Sequence, residues 1–259
     1  MSANSGAFLS RVTIPNVPMR ASVALTTAVG LISIAVLGTI ARAWLPVTAL
    51  YPLKAAAVFA SVMAVAASLV PAHHPFARFG PANQMTAARA ALVALVAGLI
   101  GEPAVPPIAG SAACAAVIVA GLDGVDGWLA RRSGVNSAFG ARFDMETDAL
   151  LIMSLAILAW RHGKAGGWVL LSGLLRYAFV AAGRLGPWLA RPLPPSRRRQ
   201  TICIVQIVGL CLATAPIVKA PLSALLAAAA LAALVGSFLE DIVWLWRRQS
   251  ESLAAMSRA

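Results

Sequence analysis

Eight apolar runs dominate the chain, near residues 23–41, 47–70, 85–101, 107–130, 138–160, 166–186, 201–218 and 221–246. Pro71, Pro75, Pro106, Pro107, Pro187, Pro194, Pro195 and Pro221 lie between the runs or at their edges, where helix breakers belong. A helix of about 20 apolar residues spans the hydrocarbon core of a bilayer. Inside that core every backbone N–H and C=O has to be satisfied, which leaves helices and closed barrels as the only spanning structures. The runs show no two-residue alternation, so a barrel is excluded. At 60% hydrophobic residues and a mean hydropathy of +0.82 the chain is too apolar for a soluble domain of this size. The expected fold is all-α: a polytopic bundle of eight membrane spans.

The net charge of +12 invites a nucleic-acid partner, but the positions of the charges argue against one. Arg11 and Arg20 precede the first run, Arg78 follows the second, and Arg131 and Arg132 follow the fourth. Arg184, Arg191, Arg197, Arg198 and Arg199 gather after the sixth, and Arg247, Arg248 and Arg258 after the last. With eight spans all of these face one side. The opposite loops hold only Arg42, Arg161, Lys164 and Lys219. Such asymmetry is a topology signal and a contact with anionic lipid, not a nucleic-acid footprint. It puts both termini in the cytoplasm, and the expected location is a bacterial inner membrane. The apolar run after Arg20 exceeds a signal-peptide core, so the first span is expected to stay uncleaved. Cys114, Cys203 and Cys211 all fall inside spans and read as small core residues with no disulfide framework.

Against this background the acidic residues stand out. The chain has nine, and four of them are aspartates between residues 123 and 148. Asp123 and Asp126 are i, i+3 near the end of the fourth run, and Ala130 extends the same face. Gly140, Asp144 and Asp148 are i, i+4, i+8 at the start of the fifth. The polar linker of residues 132–136 suits a hairpin that brings the two carboxylate pairs together at one membrane edge. Within a pair the separation along the helix is about 4.5–6 Å. Clustered carboxylates repel one another and raise one another's pKa unless a cation compensates them. An all-oxygen set points to one or two Mg²⁺ or Mn²⁺ ions, with Asp123, Asp126, Asp144 and Asp148 as ligands. Asp123 and Asp126 lie near a helix C-terminus, where the helix dipole disfavours them, so simple capping does not explain them. Glu146 falls on the other side of its helix and reads as packing or support.

The full spacing, D-x2-D-G-x2-A-R-x8-G-x3-D-x3-D, resembles the signature of the CDP-alcohol phosphotransferase family of membrane enzymes. The resemblance covers residues 73–259 and implies a six-helix catalytic core. Residues 1–72, with two spans and no acidic residue, then form an N-terminal membrane extension. The resemblance implies transfer of a phosphatidyl group from CDP-diacylglycerol to an alcohol, with release of CMP. Asp148 would be the catalytic base as well as a metal ligand. Phosphoalcohol transfer from CDP-choline or CDP-ethanolamine to diacylglycerol shares the same motif. A cation transporter is the reading from another class, although transporters place their carboxylates near the midplane and often in repeated halves. A homodimer is what the family suggests.

Small residues in the motif, Gly127, Ala130 and Gly140, leave room for a nucleotide against the helix backbones, and Arg131 suits the diphosphate. The segment Asn83-Gln84-Met85-Thr86-Ala87-Ala88-Arg89 resembles the family's P-N-x-x-T-x-x-R start of the first core helix, with Pro81 and Asn83 displaced from that spacing. Thr86 and Arg89 share a face, and an arginine one turn inside a membrane helix wants an anionic partner: the donor diphosphate or an aspartate. Arg184, Arg197, Arg198 and Arg199 are candidates for an electropositive acceptor pocket. The segment Asp144-Met-Glu-Thr-Asp148 matches none of the variants associated with glycerophosphate, serine or choline, which leaves the acceptor open. Phe76 and Phe79 are expected in the headgroup layer, and the Glu240-Asp241 pair beside Arg247 and Arg248.

Overall fold

Proline and glycine set the helix ends. The computed structural model describes the backbone of residues 19–73, 79–133, 138–194 and 196–256, and the side chains of 19–69, 79–124, 139–194 and 196–250. Eight α-helices follow in order: α1 Met19–Trp44, α2 Tyr51–His73, α3 Pro81–Gly98, α4 Pro106–Ser133, α5 Ala138–Arg161, α6 Leu171–Leu185, α7 Arg197–Thr214 and α8 Leu222–Met256. A 3₁₀ turn, Gly167–Leu170, leads into α6. Pro81 occupies the first turn of α3, where its missing N–H costs nothing, after Gly80 at φ 75°, a value that favours glycine. The seventh helix starts four residues earlier than its apolar run, because its first turn is the arginine cluster itself.

The protein is an integral membrane helical bundle. Among the described residues, five segments, Met19–Trp44, Tyr51–Leu69, Pro106–Gly124, Gly167–Leu185 and Leu222–Ser250, are long and apolar enough to cross a bilayer. Leu25, Val29, Ile32 and Val36 on α1 and Leu225 and Leu239 on α8 stay exposed, as lipid-facing residues should. The other three helices, α3, α5 and α7, carry Arg89, Asp144 with Asp148, and Gln206 respectively. Of these, α3 packs against α1, α2, α4 and α5, while α5 packs against α2, α3, α4, α6 and α7. Polar groups in a membrane protein belong inside the bundle, and this packing puts them there.

Two apolar clusters hold the centre. One joins α3, α4, α5 and α7 through Val93, Ile108, Leu151, Leu155 and Leu210. The other joins α1, α2, α3 and α5 through Ile34, Phe59, Met63, Ala90 and Phe143. Phe79 belongs to this second cluster and not to the headgroup layer. It is fully buried, with ring centroids 6.1 Å from Phe139 and 6.4 Å from Phe143. Burying three rings together outweighs an interfacial position for one of them. Phe76 and Arg78 lie outside the described residues. Gly209 permits close contact of α7 with α8, since a Cβ there would sit 2.7 Å from that of Ala230.

The helices alternate in direction, and polar latches mark the end of the bundle remote from the aspartates. Glu102, between α3 and α4, accepts from the Thr48 N–H at 2.6 Å, from Thr48 Oγ1 at 2.9 Å and from Lys54 Nζ. Lys54 also reaches the Ile100 carbonyl at 3.2 Å. Burial pushes the Glu102 carboxyl up, but the Lys54 ammonium and the two Thr48 donors outweigh it and hold it below its ordinary 4.5. The N-terminal helix pair is thereby tied to the rest of the bundle. Lys164, after α5, donates to the carbonyls of Ala215 at 3.1 Å and Val218 at 2.5 Å, and its own carbonyl accepts from Ser223 at 2.7 Å.

Candidate active site

At the other end of the bundle, three aspartates converge on one arginine. Arg89 stands two turns into α3 on its inner face, and its side chain is 1% exposed. Its Nη1 pairs with Asp123 Oδ1 at 2.8 Å and with Asp144 Oδ1, and its Nη2 with Asp148 Oδ1 at 2.6 Å. Asp123 comes from α4, and Asp144 and Asp148 come from successive turns of α5. One carboxylate oxygen from each of the three aspartates lies within 4.8 Å of the other two. The aspartates of α4 and α5 therefore meet as expected, with α3 closing the cluster, while residues 134–137 of the expected hairpin lie outside the described residues. Three negative groups this close need a positive one, and the planar guanidinium fork meets them with charge-assisted hydrogen bonds.

The three carboxylates are not equivalent. Asp123 and Asp144 are 38% and 39% exposed, but Asp148 only 16%, so the last aspartate is the deepest. Its second oxygen accepts from the Cys203 thiol of α7 at 3.8 Å. Cys203 is thus a neighbour of the acidic cluster and more than core filling. One turn further along α7, Gln206 is fully buried, and neither end of its amide has a hydrogen-bond partner among the described residues. The sequence alone gives Cys203 only a core role and Gln206 none. A polar i, i+3 pair, Cys203 and Gln206, inside an apolar run is the signal that could have found them.

The remaining candidates separate into groups. Asp126, Gly127, Ala130 and Arg131 belong to α4, but their side chains lie outside the described residues. Thr86 is buried, and its hydroxyl donates to its own helix at the Ala82 carbonyl, 3.1 Å away. Gly140 stands in the first turn of α5, one turn before Asp144, and is half-buried. Glu146 turns away from the aspartates to pair with Arg176 of α6 at 2.5 Å. Arg184 and Arg197 are exposed. Arg198 is engaged with α8: Nη1 with Glu240 at 2.8 Å and with the Ser237 carbonyl at 3.0 Å, Nη2 with Asp241 at 2.5 Å. Arg199 adds a contact to Asp241 at 3.3 Å and one to the Pro194 carbonyl. Glu240 and Asp241 thus pair with the α7 arginines and not with Arg247 and Arg248; Arg248 instead lies 4.8 Å from the Trp244 ring centroid.

The donor set fits a hard divalent cation. All three groups offer carboxylate oxygen, each retains an oxygen beyond the one facing Arg89, and all stand on rigid helices at one end of the bundle. No solved structure matches the chain. The family model for CDP-alcohol phosphatidyltransferase matches residues 79–239, starting just before α3 and ending in α8, with every described aspartate of the cluster inside it. On the strength of that match and the convergence of Arg89 with three motif aspartates, the chain belongs to the CDP-alcohol phosphatidyltransferase family, transferases of substituted phosphate groups in phospholipid biosynthesis.

Proposed function

We propose that the enzyme transfers a phosphatidyl group from CDP-diacylglycerol to an alcohol and releases CMP. The observation that carries this reading is the cluster of Asp123, Asp144 and Asp148 at one end of a lipid-embedded bundle. A lipid donor can keep its tails in the bilayer and bring its diphosphate to that end. Asp123, Asp126, Asp144 and Asp148 are the residues that would hold Mg²⁺ or Mn²⁺, one ion or two, and a bound ion would neutralise the diphosphate and the departing CMP. Gly127, Ala130 and Gly140 would give the nucleotide room, and Arg131 and Arg89 would supply positive charge to its phosphates.

Asp148, the most enclosed of the three described carboxylates, takes the proton from the acceptor hydroxyl. The acceptor oxygen then bonds to the phosphorus that carries the lipid, and the bond from that phosphorus to the bridging oxygen of CMP breaks. CMP leaves with the electron pair of that bond. Positioning and electrostatics supply the rate, with no covalent enzyme intermediate. Arg184 and Arg197, exposed near the same end, are the acceptor-side candidates. The two N-terminal helices are an addition to a six-helix core of residues 73–259. The excess of arginine at the aspartate end supports a cytoplasmic active site in a bacterial inner membrane, and the working unit is a homodimer.

The deciding experiment gives the purified protein Mg²⁺, CDP-diacylglycerol and a panel of alcohols, with CMP and lipid products read by mass spectrometry. CMP release together with a new phosphatidyl-alcohol is the expected result. Turnover of CDP-choline or CDP-ethanolamine with diacylglycerol, but not of CDP-diacylglycerol, would move the assignment to phosphoalcohol transfer. Full activity after exhaustive chelation would remove the metal from the mechanism.

A further inference from the structure

We infer that Arg89 is a tethered counter-cation, holding the carboxylates in the metal-free protein at the place divalent ions must take. The inference rests on the reading of the aspartates as a metal site and adds a competitor built into the chain. Nη1 of Arg89 lies between Asp123 Oδ1 and Asp144 Oδ1, and Nη2 reaches Asp148 Oδ1. A divalent ion held by the same two oxygens would need the space between them that Nη1 now fills. Guanidinium nitrogen and cation cannot share that volume. Either the arginine withdraws or the carboxylates turn their second oxygens to the ion. In both cases entry of the ion breaks contacts that Arg89 makes at 2.8 Å and less.

Charge counting leads to the same point. The four motif aspartates carry four negative charges, and Arg89 returns one. Without a metal, the arginine is what keeps three carboxylate oxygens within 4.8 Å of one another. Once a divalent ion supplies the counter-charge, the same arginine repels it across a poorly screened interior. The released guanidinium stays at the site, because its helix is fixed by packing on four neighbours. It then offers its fork to the donor diphosphate. Arg89 thus acts by position: a scaffold for the empty site, a competitor of the metal, and a partner of the nucleotide that follows the metal in.

The test is Mn²⁺ binding without nucleotide, followed by electron paramagnetic resonance on the full-length protein in nanodiscs, together with thermal unfolding in EDTA and in Mn²⁺. Arg89→Met keeps length and removes charge; Arg89→Lys keeps charge but cannot span three carboxylates. Arg89→Met is expected to bind Mn²⁺ about tenfold more tightly than wild type. It should also unfold at a lower temperature in EDTA and gain more from Mn²⁺ than wild type does. Arg89→Lys should bind Mn²⁺ more tightly than wild type but less tightly than Arg89→Met, and it carries the test if the methionine variant does not fold. Equal or weaker Mn²⁺ binding in the variants, with wild type binding normally, overturns the inference and leaves the metal site standing. Absence of Mn²⁺ binding in wild type and variants alike overturns the metal reading and this inference with it. Binding only in the variants supports the competition directly.

Discussion

Nη2 of Arg89 meets Oδ1 of Asp148 at 2.6 Å, across 59 residues of sequence, while the other oxygen of the same carboxylate faces the Cys203 thiol. Asp148 is therefore held from two helices, α3 and α7, with its carboxylate fixed in direction. Asp148→Asn is expected to abolish turnover and leave donor binding largely intact, because a base acts in the transition state. Loss of donor binding as severe as in Asp144→Asn would make Asp148 chiefly a metal ligand. Glu146→Gln is the control. Its partner Arg176 lies on α6, both side chains are partly exposed, and the variant should keep most activity with little change in stability.

The α7 arginines make a second contrast. Asp241 is 9% exposed, and Arg198 and Arg199 both bond it. Arg198→Ala would leave a nearly buried carboxylate short of its main partner. It should lower stability by about 1–3 kcal/mol, discounted because Arg198 itself is partly exposed. Arg184→Ala and Arg197→Ala should leave the melting temperature alone and raise the KM for acceptor. A raised acceptor KM in Arg198→Ala at unchanged stability would return that residue to the acceptor pocket.

Glu102 predicts a pH effect. Its carboxyl is held below 4.5 in the folded protein, so its stabilising contribution is fully present above that value. It is lost as pH falls from about 4.5 through the lower folded value. Unfolding temperature measured across acidic pH should therefore drop more steeply in wild type than in Glu102→Gln. Parallel curves would show that the Thr48–Lys54 latch carries no linkage.

Gln206 predicts a gain. A fully buried amide with neither end bonded among the described residues is an unfavourable group to keep inside a bundle. Gln206→Leu should raise stability by about 1–3 kcal/mol. A fall in melting temperature would mean that the amide has a partner worth more than its desolvation cost.

Much of the site could be read in the chain because its information is local. Asp123 with Asp126, and Asp144 with Asp148, are one-turn repeats, and a short polar linker between two apolar runs fixes the hairpin. Arg89 could be named because a charge inside an apolar run has few reasons to be there, though its choice among partners could not. The rotation of one helix against another is set by packing, which a 3.6-residue period does not record. That is why the sequence pairs Asp241 with Arg247 and Arg248, six and seven residues along its own helix, when its partners Arg198 and Arg199 approach from α7. It is also why Phe79 was placed in the headgroup layer. Glu102, Lys54 and Thr48 drew no notice, since a loop acid looks ordinary until the loop that meets it is known.

The latches at Glu102 and Lys164 have a mechanical meaning. They tie the α1–α2 turn to the α3–α4 turn and the α5–α6 turn to the α7–α8 turn, all at the end remote from the carboxylates. A helix pinned at one end is a lever. For an 18-residue rod such as α3, a tilt of about 5° about the pinned end displaces the free end by about 2 Å, from a rise of 1.5 Å per residue. Thermal breathing of the bundle is thereby directed toward the reactive rim, where a CDP-alcohol and its alcohol acceptor have to meet.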